Sequence, residues 1–248
     1  MGSDQVWRFE YIGDTQYDAY FLNFNLSKKI KKISYAASFG TSMWEAPEKL
    51  NDVKQFLSEF DAVSVREESG VDICKEQLGY ENAKLVLDPT LLIDANFYNQ
   101  FLLSDIKENT TLVTYILDNS EYKESVVSNI YDYFSLASRI DLNGKERILS
   151  IEEWVTNISK ANFVVTDSFH GMIFSIIFKK QFVVILNKER GADRFSSICN
   201  ILGLEDRIIH NSQGLKIYEQ KIDYDEVYSK LDKLKLFSSN FLTESIDS

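Results

Sequence analysis

The segment VVTDSFHG at residues 164–171 carries the clearest fold signal in the chain. Its first three residues are β-branched, which is typical of a buried strand. Polar and aromatic residues follow, and after Gly171 an almost entirely apolar run to Phe178 predicts a helix that is buried on all sides. A strand that turns directly into a helix is the repeating unit of α/β proteins with parallel sheets.

The same alternation continues on both sides of this segment. Strands are predicted at residues 30–36, 61–65, 84–87, 111–117, 163–166 and 182–186. Helices are predicted from about Pro47 to Phe60, ahead of Gly79, and at residues 121–133, 151–160, 171–178, 193–202 and 224–236. We expect two Rossmann-like halves with parallel sheets, residues 1–100 and residues 101–248.

The two ends of the chain differ from this pattern. The helix at residues 224–236 carries one apolar face, so we expect it to dock on the second half, and we expect the chain to be loose beyond about residue 240. At the other end, GSDQVW at residues 2–7 is loop-like and follows no strand. We therefore expect the first half to be incomplete, without its opening βα units.

The overall composition excludes several classes of protein. A net charge of −11 argues against general nucleic-acid binding, which needs a basic surface, but a local group of Arg, His and helix N-termini can still hold a small anion. The longest apolar runs, residues 172–178 and 182–186, are far shorter than the roughly 20 residues of a membrane-spanning helix. The first 20 residues show no secretory signal. We expect a cytoplasmic protein, with peripheral association at the inner membrane face as the alternative.

The sequence shows no pattern for a metal or a nucleotide cofactor. Cys74 and Cys199 lie in apolar helical patterns and are predicted to be reduced core residues. HExxH, paired CxxC, EF-hand, Walker and GxGxxG patterns are all missing from the sequence. We expect no metal and no cofactor. Trp7, Trp44 and Trp154 are assigned to the core rather than to sugar-stacking platforms.

Residues 167–171 are the first candidate site, because ligands of parallel α/β proteins bind beyond the carboxyl ends of strands. The N-terminus of the following helix offers free N–H groups and a positive dipole end, which suit a phosphate or a carboxylate. His170 can donate a hydrogen bond to such an anion or transfer a proton. The alternative is structural: Asp167 or Ser168 caps the helix, and His170 is a structural histidine with satisfied hydrogen bonds.

Three arginines follow other predicted strands. Arg66 comes directly after one strand, and Arg190 and Arg194 follow the last one. A guanidinium can hold an oxyanion through two parallel hydrogen bonds. The alternatives are a surface ion pair of Arg66 with the glutamates that follow it, and a solvated loop around the other two arginines. Asp88, which precedes a proline at the end of a third strand, is interpreted as a turn residue.

Five short segments together resemble the polysaccharide pyruvyl transferase family. They are GSDQVW at residues 2–7, SYAASFG at 34–40, SVRE at 64–67, VLDPT at 86–90 and TDSFHG at 166–171. Each is modest alone, but their order and spacing agree with the family pattern over about residues 2–210. The resemblance implies two Rossmann-like halves similar to the GT-B glycosyltransferases. It also implies a further N-terminal βα region, which this chain is expected to lack.

The resemblance implies an activity as well: pyruvate passes from phosphoenolpyruvate to two hydroxyls of a sugar, which gives a cyclic ketal and phosphate. The acceptor would be a bacterial exopolysaccharide or capsule precursor, free or lipid-linked. On this hypothesis His170 is the acid or a phosphate contact, and Asp167 orients His170 or acts as a base. The implied donor-binding residues are Arg66, Ser168, Gly171, Arg190 and Arg194, and the implied acceptor-side residues are Asp4 and Ser38.

Two other interpretations stay open. A GT-B glycosyltransferase that uses a nucleotide sugar shares the expected architecture, but it would release a nucleoside diphosphate and not inorganic phosphate. A non-catalytic remnant or binding module would suit an incomplete first half, and it would bind ligands without turnover. Product analysis separates the first alternative from pyruvyl transfer, and ligand binding without turnover identifies the second.

Overall fold

The computed structural model describes residues 3–24, 30–106, 111–144, 147–187, 191–209 and 220–247. Over these residues the chain forms eleven α-helices and eight β-strands, and it divides into two compact units. Unit 1 consists of residues 1–92, 188–198 and 228–248, and unit 2 of residues 93–187 and 199–227. The chain passes into unit 2 after Leu92 and returns to unit 1 for the two later segments.

Unit 1 contains a sheet of three parallel strands in the order β1-β2-β3. The strands are β1 (Ile33–Ala37), β2 (Ala62–Val65) and β3 (Lys84–Leu85). Its helices are α1 (Phe9–Ile12), α2 (Tyr17–Tyr20), α3 (Leu50–Ser58), α4 (Glu68–Asp72) and α5 (Pro89–Leu92), with a 3-10 turn at Pro47–Lys49 and a π turn at Ile73–Gln77. The strands follow one another in both sequence and space, as is usual where the connections are short.

Unit 2 contains the larger sheet, with five parallel strands. They are β4 (Thr111–Tyr115), β5 (Ser138–Asp141), β6 (Phe163–Thr166), β7 (Gln181–Ile185) and β8 (Ile208–Ile209). The helices are α6 (Ala95–Asn99), α7 (Glu121–Tyr133), α8 (Ile151–Lys160) and α9 (Phe169–Ile177), with a 3-10 turn at Glu205–Arg207. Two further helices, α10 (Ala192–Leu202) and α11 (Tyr224–Asp247), contribute residues to both units.

The strand order of unit 2 creates a switch point between β4 and β6. The order is β5-β4-β6-β7-β8, so the chain reverses its direction across the sheet between β4 and β6. In open parallel sheets ligands bind at such a switch point, beyond the carboxyl ends of the two strands. Tyr115 pairs with Thr166 at the end of these strands, so the segments after β4 and β6 both begin at the switch point.

Each unit has its own apolar core. The core of unit 1 is rich in aromatic rings: Trp7 is stacked on Phe21 with ring centroids 5.1 Å apart and lies 5.3 Å from Phe39. In unit 2 the buried strands β4, β6 and β7 pack against α7 through apolar side chains such as Val126 and Ile130. The predicted burial of Trp7, Trp44, Cys74 and Cys199 is confirmed, and both thiols are free.

The α/β class with parallel sheets is confirmed, and the comparison with GT-B enzymes stays a prediction. The predicted capping box is also present: Ser150 Oγ accepts from the N–H of Glu153, whose carboxylate accepts from the N–H of Ser150. Strand β5 escapes prediction because its sequence SRID alternates between partly buried and exposed positions. None of the described helices combines the length and the apolar character that crossing a membrane requires.

The prediction of a loose end beyond residue 240 is wrong, because α11 continues to Asp247. Polar contacts within unit 1 hold this second half of the helix. The buried Ser238 accepts a hydrogen bond from the N–H of Leu87 at 3.0 Å, and Lys31 Nζ donates to the carbonyl of Ile246 at 3.0 Å. The apolar pattern alone does not reveal contacts of this kind.

Ser238→Ala tests this anchoring of α11. The substitution leaves the buried N–H of Leu87 without its acceptor, so we expect the free energy of unfolding to fall by about 1–3 kcal/mol. Ser239→Ala on the same helix is the control, since Ser239 is exposed and the change in helix propensity is the same. Urea unfolding of both variants gives the comparison. Equal stabilities would show that the Leu87–Ser238 contact does not hold the helix.

Candidate functional site

The turn after β6 is fixed by its own side chains. Thr166 Oγ1 donates to the carbonyl of Tyr115 at 2.7 Å and accepts from the N–H of Ser168 at 3.0 Å. Ser168 is the N-cap of α9, and its hydroxyl accepts from the N–H of Gly171 at 3.4 Å. The capping role that the sequence offered for Ser168 is therefore present. The N–H groups of Ser168 and Gly171 are bonded within the turn, and these bonds limit its freedom.

Gly171 is needed for the packing of this turn. A Cβ atom on Gly171 would lie 2.4 Å from Thr166 Oγ1, which is closer than atoms can approach. The same hydroxyl holds the turn to β4, so it cannot move away without losing that bond. The absence of a side chain at residue 171 thus lets the first turn of α9 lie directly on the end of β6.

Asp167 is buried and accepts three hydrogen bonds. Its Oδ1 accepts from the N–H of Leu117 at 2.7 Å, and its Oδ2 accepts from the N–H of Asp118 at 3.2 Å and from Lys123 Nζ at 2.6 Å. Both acceptor groups of the carboxylate are therefore occupied from the segment that follows β4. Asp167 joins the two segments that leave the sheet at the switch point.

A third segment is tied to the same place. Asn187, which follows β7, donates from Nδ2 to Asp118 Oδ2 at 2.5 Å. The carboxyl ends of β4, β6 and β7 are thus linked by side chains within unit 2. Such a network limits the movement of these segments relative to one another.

His170 is the residue of this turn that a ligand can reach. Among the described residues 167–171 it alone is partly exposed, whereas the other four are buried. It lies in the first turn of α9, next to Phe169, with ring centroids 5.6 Å apart. The structure therefore presents the imidazole at the positive end of the helix dipole.

Arg66 is the centre of a second cluster, in unit 1. Its side chain is fully buried, so it does not form the surface ion pair that the sequence left open. Nη1 donates to Asp88 Oδ2 at 2.7 Å, and Nη2 donates to Asp4 Oδ1 at 2.7 Å. Asp88 is held in turn by the N–H and hydroxyl of Thr90, at 3.1 and 2.6 Å. Asp88 thus fixes the guanidinium from the inside.

Arg194 meets the same carboxylate. Its Nη1 donates to Asp4 Oδ1 at 2.9 Å, so one oxygen of Asp4 accepts from two guanidinium groups. Burial and the neighbouring Arg66 lower the pKa of Arg194 to about 10, and it stays protonated at neutral pH. The side chain of Asp4 is 59% exposed while those of the arginines are 8% exposed or less. The two cations therefore converge on a point that solvent reaches.

Two glycines allow the loops of this cluster to approach. Gly40 and Gly191 have φ values of +68° and +80°, in the left-handed region that favours glycine. A Cβ atom on Gly191 would lie 2.8 Å from the carbonyl of Gly40, and one on Gly40 would lie 2.2 Å from Gln5 Oε1. The close approach brings the segments that carry Asp4 and Arg194 together.

Glu67 supports the cluster from below. Its side chain is fully buried, and Oε1 accepts from the N–H groups of Phe39 and Gly40 at 2.7 and 3.2 Å. Its Oε2 has no hydrogen-bond partner among the described residues, and Arg66 Nε lies 3.9 Å from it. Burial raises the pKa of Glu67, although Arg66, the two N–H groups and the Ser38 hydroxyl favour the ionised form.

The residues proposed from the sequence therefore fall into two groups. Asp167, Ser168, His170 and Gly171 belong to the turn in unit 2, whereas Asp4, Arg66 and Arg194 form the cluster in unit 1. Ser38, the other residue assigned to the acceptor side, is fully buried in unit 1, and its carbonyl accepts from the N–H of Trp7. Arg190 lies outside the described residues. The functional assignments of these residues stay predictions.

Four residues of these clusters make contacts that the sequence does not predict: Thr166, Lys123, Glu67 and, in its contact to Arg66, Asp88. Two of them are neighbours of predicted site residues: Thr166 precedes Asp167, and Glu67 follows Arg66. Asp88 follows a predicted strand. Lys123 could have been found from its position in the sequence, because it is a lysine in the first turn of a predicted helix, where the helix dipole disfavours a cation.

The contact between Thr166 and residue 171 gives a double-mutant test. Gly171→Ala should reduce the free energy of unfolding by about 1–3 kcal/mol, because the new methyl group overlaps Thr166 Oγ1. In a Thr166→Ala background the 2.4 Å overlap with Oγ1 is gone and only the Cβ atom at 3.1 Å remains, so the same substitution should cost much less. Urea unfolding of the four proteins measures the coupling. Additive effects would rule out this contact as the reason for glycine.

The pH dependence of stability tests the burial of Glu67. Because its pKa is raised on folding, the folded chain binds more protons than the unfolded chain above the ordinary value of 4.5. Wild-type stability should therefore fall, relative to Glu67→Gln, as the pH rises from 4.5 towards the raised pKa. Urea unfolding at several pH values, with exposed Glu68→Gln as the control, measures this difference. A difference that does not change with pH would contradict the assignment.

Comparison with known protein families identifies the family of this chain. Residues 2–189 match the family described as Polysaccharide pyruvyl transferase, an interval that covers well over half of the chain. It contains Asp4, Arg66, Asp88 and His170, and Arg194 follows shortly after it. No curated protein matches the chain. The match over residues 2–189 shows that the chain belongs to the polysaccharide pyruvyl transferase family.

Proposed function

We propose that this chain transfers the pyruvyl group of phosphoenolpyruvate to two hydroxyls of a saccharide. Family membership indicates pyruvyl transfer to a saccharide. The identity of the donor is supported by one observation above all: two arginines donate to one carboxylate oxygen of Asp4, whose side chain is 59% exposed. Such a pair of guanidinium groups suits the carboxylate or phosphate of a multiply charged donor.

The reaction consists of one protonation, two attacks by saccharide hydroxyls and the departure of phosphate. A proton is added to the methylene carbon of phosphoenolpyruvate, and the neighbouring carbon becomes electrophilic. One saccharide hydroxyl attacks that carbon and loses its proton. A second hydroxyl then attacks, the bond to the phosphate oxygen breaks, and a cyclic ketal remains. Of the two hydroxyl protons, one balances the proton added to the methylene carbon and the other leaves in solution or on the inorganic phosphate.

Arg66 and Arg194 hold an anionic group of the donor in this proposal. Arg66 is already fixed by Asp88, so little conformational freedom is lost when the donor binds. In the unliganded chain the carboxylate of Asp4 occupies the position where the two guanidinium groups meet. A donor anion therefore takes the place of Asp4. The released carboxylate can then accept a hydrogen bond from a saccharide hydroxyl, as an acceptor-side role requires.

His170 supplies the proton in this proposal, or holds the departing phosphate. It is the exposed member of a turn whose other residues are buried and bonded. A histidine can carry a proton at neutral pH, and the N-terminus of α9 favours an anion nearby. Ser168 and Gly171 contribute by shaping that helix end. We further propose that the acceptor belongs to an exopolysaccharide or capsule precursor.

Binding of phosphoenolpyruvate tests the donor assignment. Calorimetric titration should detect phosphoenolpyruvate, whereas pyruvate and UDP-glucose should bind far more weakly. Arg194→Gln should weaken binding by about 10- to 100-fold, since a hydrogen bond to a charged group contributes about 1.5–3 kcal/mol. Arg147→Gln is the control, because Arg147 is 67% exposed and pairs with Glu153. Unchanged affinity in Arg194→Gln, or preference for UDP-glucose, would contradict the proposal.

Asp4→Asn should change the affinity for phosphoenolpyruvate in the opposite direction to Arg194→Gln. If Asp4 competes with the donor for the arginines, removal of its charge should strengthen phosphoenolpyruvate binding. The side chain of Asp4 is 59% exposed, so solvent screens its pairing with the two arginines, and the gain should be about fivefold or less. Asp14→Asn, at an exposed carboxylate that pairs with Lys49, is the matched control. Weaker binding in Asp4→Asn would show that Asp4 helps to hold the donor instead of competing with it.

A further inference from the structure

Lys123 occupies a position that local rules disfavour. It lies in the first turn of α7, where the positive end of the helix dipole repels a cation. Its side chain is only 10% exposed, although lysine is among the residues least often buried. Residues that break local preferences in a folded protein are found at functional or strained sites. A buried lysine at this position therefore needs an anionic partner in unit 2.

The anionic partner of Lys123 is Asp167. Nζ donates to Asp167 Oδ2 and to the carbonyl of Asp118, both at 2.6 Å. Asp167 is three residues before His170. Its carboxylate also accepts hydrogen bonds from the N–H groups of Leu117 and Asp118. A buried carboxylate with that many donors but no cation would carry an uncompensated charge next to the turn. Lys123 neutralises it.

We infer that Lys123 is a positioning residue for His170, and that it acts through Asp167. The pair holds the turn between β6 and α9 against the segment after β4, so the imidazole is presented from a fixed helix end. Because both oxygens of Asp167 already accept hydrogen bonds, its part is to orient the turn and not to take a proton from substrate. This inference rests on the proposed role of His170.

The charges of the pair provide a signature that simple loss of structure would not give. Lys123→Met leaves the carboxylate of Asp167 without its cation, which should raise the pKa of His170 by about 0.5. Asp167→Asn leaves the cation without its carboxylate, which should lower the pKa of His170 by about the same amount. Local unfolding of the turn would instead bring both variants to the same unperturbed value of about 6.5.

Nuclear magnetic resonance can follow His170 alone. The chain has two histidines, so His210→Gln leaves a single imidazole to titrate. Lys123→Arg, which keeps the charge, should stay near the parent protein. Lys160→Met is the matched control, since Lys160 is a partly buried lysine of the same unit that donates to the carbonyls of Leu103 and Ile106 and not to the turn. Shifts of equal sign in Lys123→Met and Asp167→Asn, or no shift in either, would overturn the inference.

Turnover gives a second readout. Lys123→Met should lower kcat about tenfold or more with little change in the KM for phosphoenolpyruvate, and Lys123→Arg should recover most of it. If Lys123→Met does not fold, the double variant Lys123→Met with Asp167→Asn removes both charges and avoids the uncompensated carboxylate. In that protein both charges of the pair are gone, so the pKa of His170 should lie near that of the parent protein. The titration needs no donor, so it can support the pairing even if pyruvyl transfer is not found.

Discussion

The candidate turn of unit 2 depends on the hydrogen bonds that the buried carboxylate of Asp167 accepts. The sheet order brings the ends of β4 and β6 side by side, but two parallel strands alone do not determine how the segments beyond them are held. Asp167 determines it with two backbone N–H groups and one buried lysine. Both oxygens of this carboxylate are thereby occupied, and within residues 167–171 His170 is the partly exposed side chain.

The cluster in unit 1 follows the same physical logic with the charges reversed. There a buried guanidinium, Arg66, is held from the inside by Asp88, and its outward nitrogen donates to an exposed carboxylate. A cation fixed in this way keeps its charge directed at one point, where Arg194 adds a second. Asp4 is the exposed member of this cluster, and in the proposed function it is the group that the donor anion replaces.

The sequence predicts the strands, the parallel class and the turn at residues 164–171, because these depend on local apolar patterns and on one strong strand–helix junction. It also places Arg66 and His170 at strand ends. It cannot predict the contact of Lys123 with Asp167, since the two are 44 positions apart and meet only through the order of the strands. The end of α11 is missed for a similar reason: Ser238 is polar, and its partner Leu87 is distant in sequence.

A crystal structure of the chain with phosphoenolpyruvate would test the central claim most directly. The account predicts an anionic group of the donor within hydrogen-bond distance of Arg66 and Arg194, with the carboxylate of Asp4 moved away from both. Arg66 should keep its contact with Asp88, because that contact holds the guanidinium in place before the donor binds. Phosphoenolpyruvate bound elsewhere, with both contacts of Asp4 intact, would contradict the account.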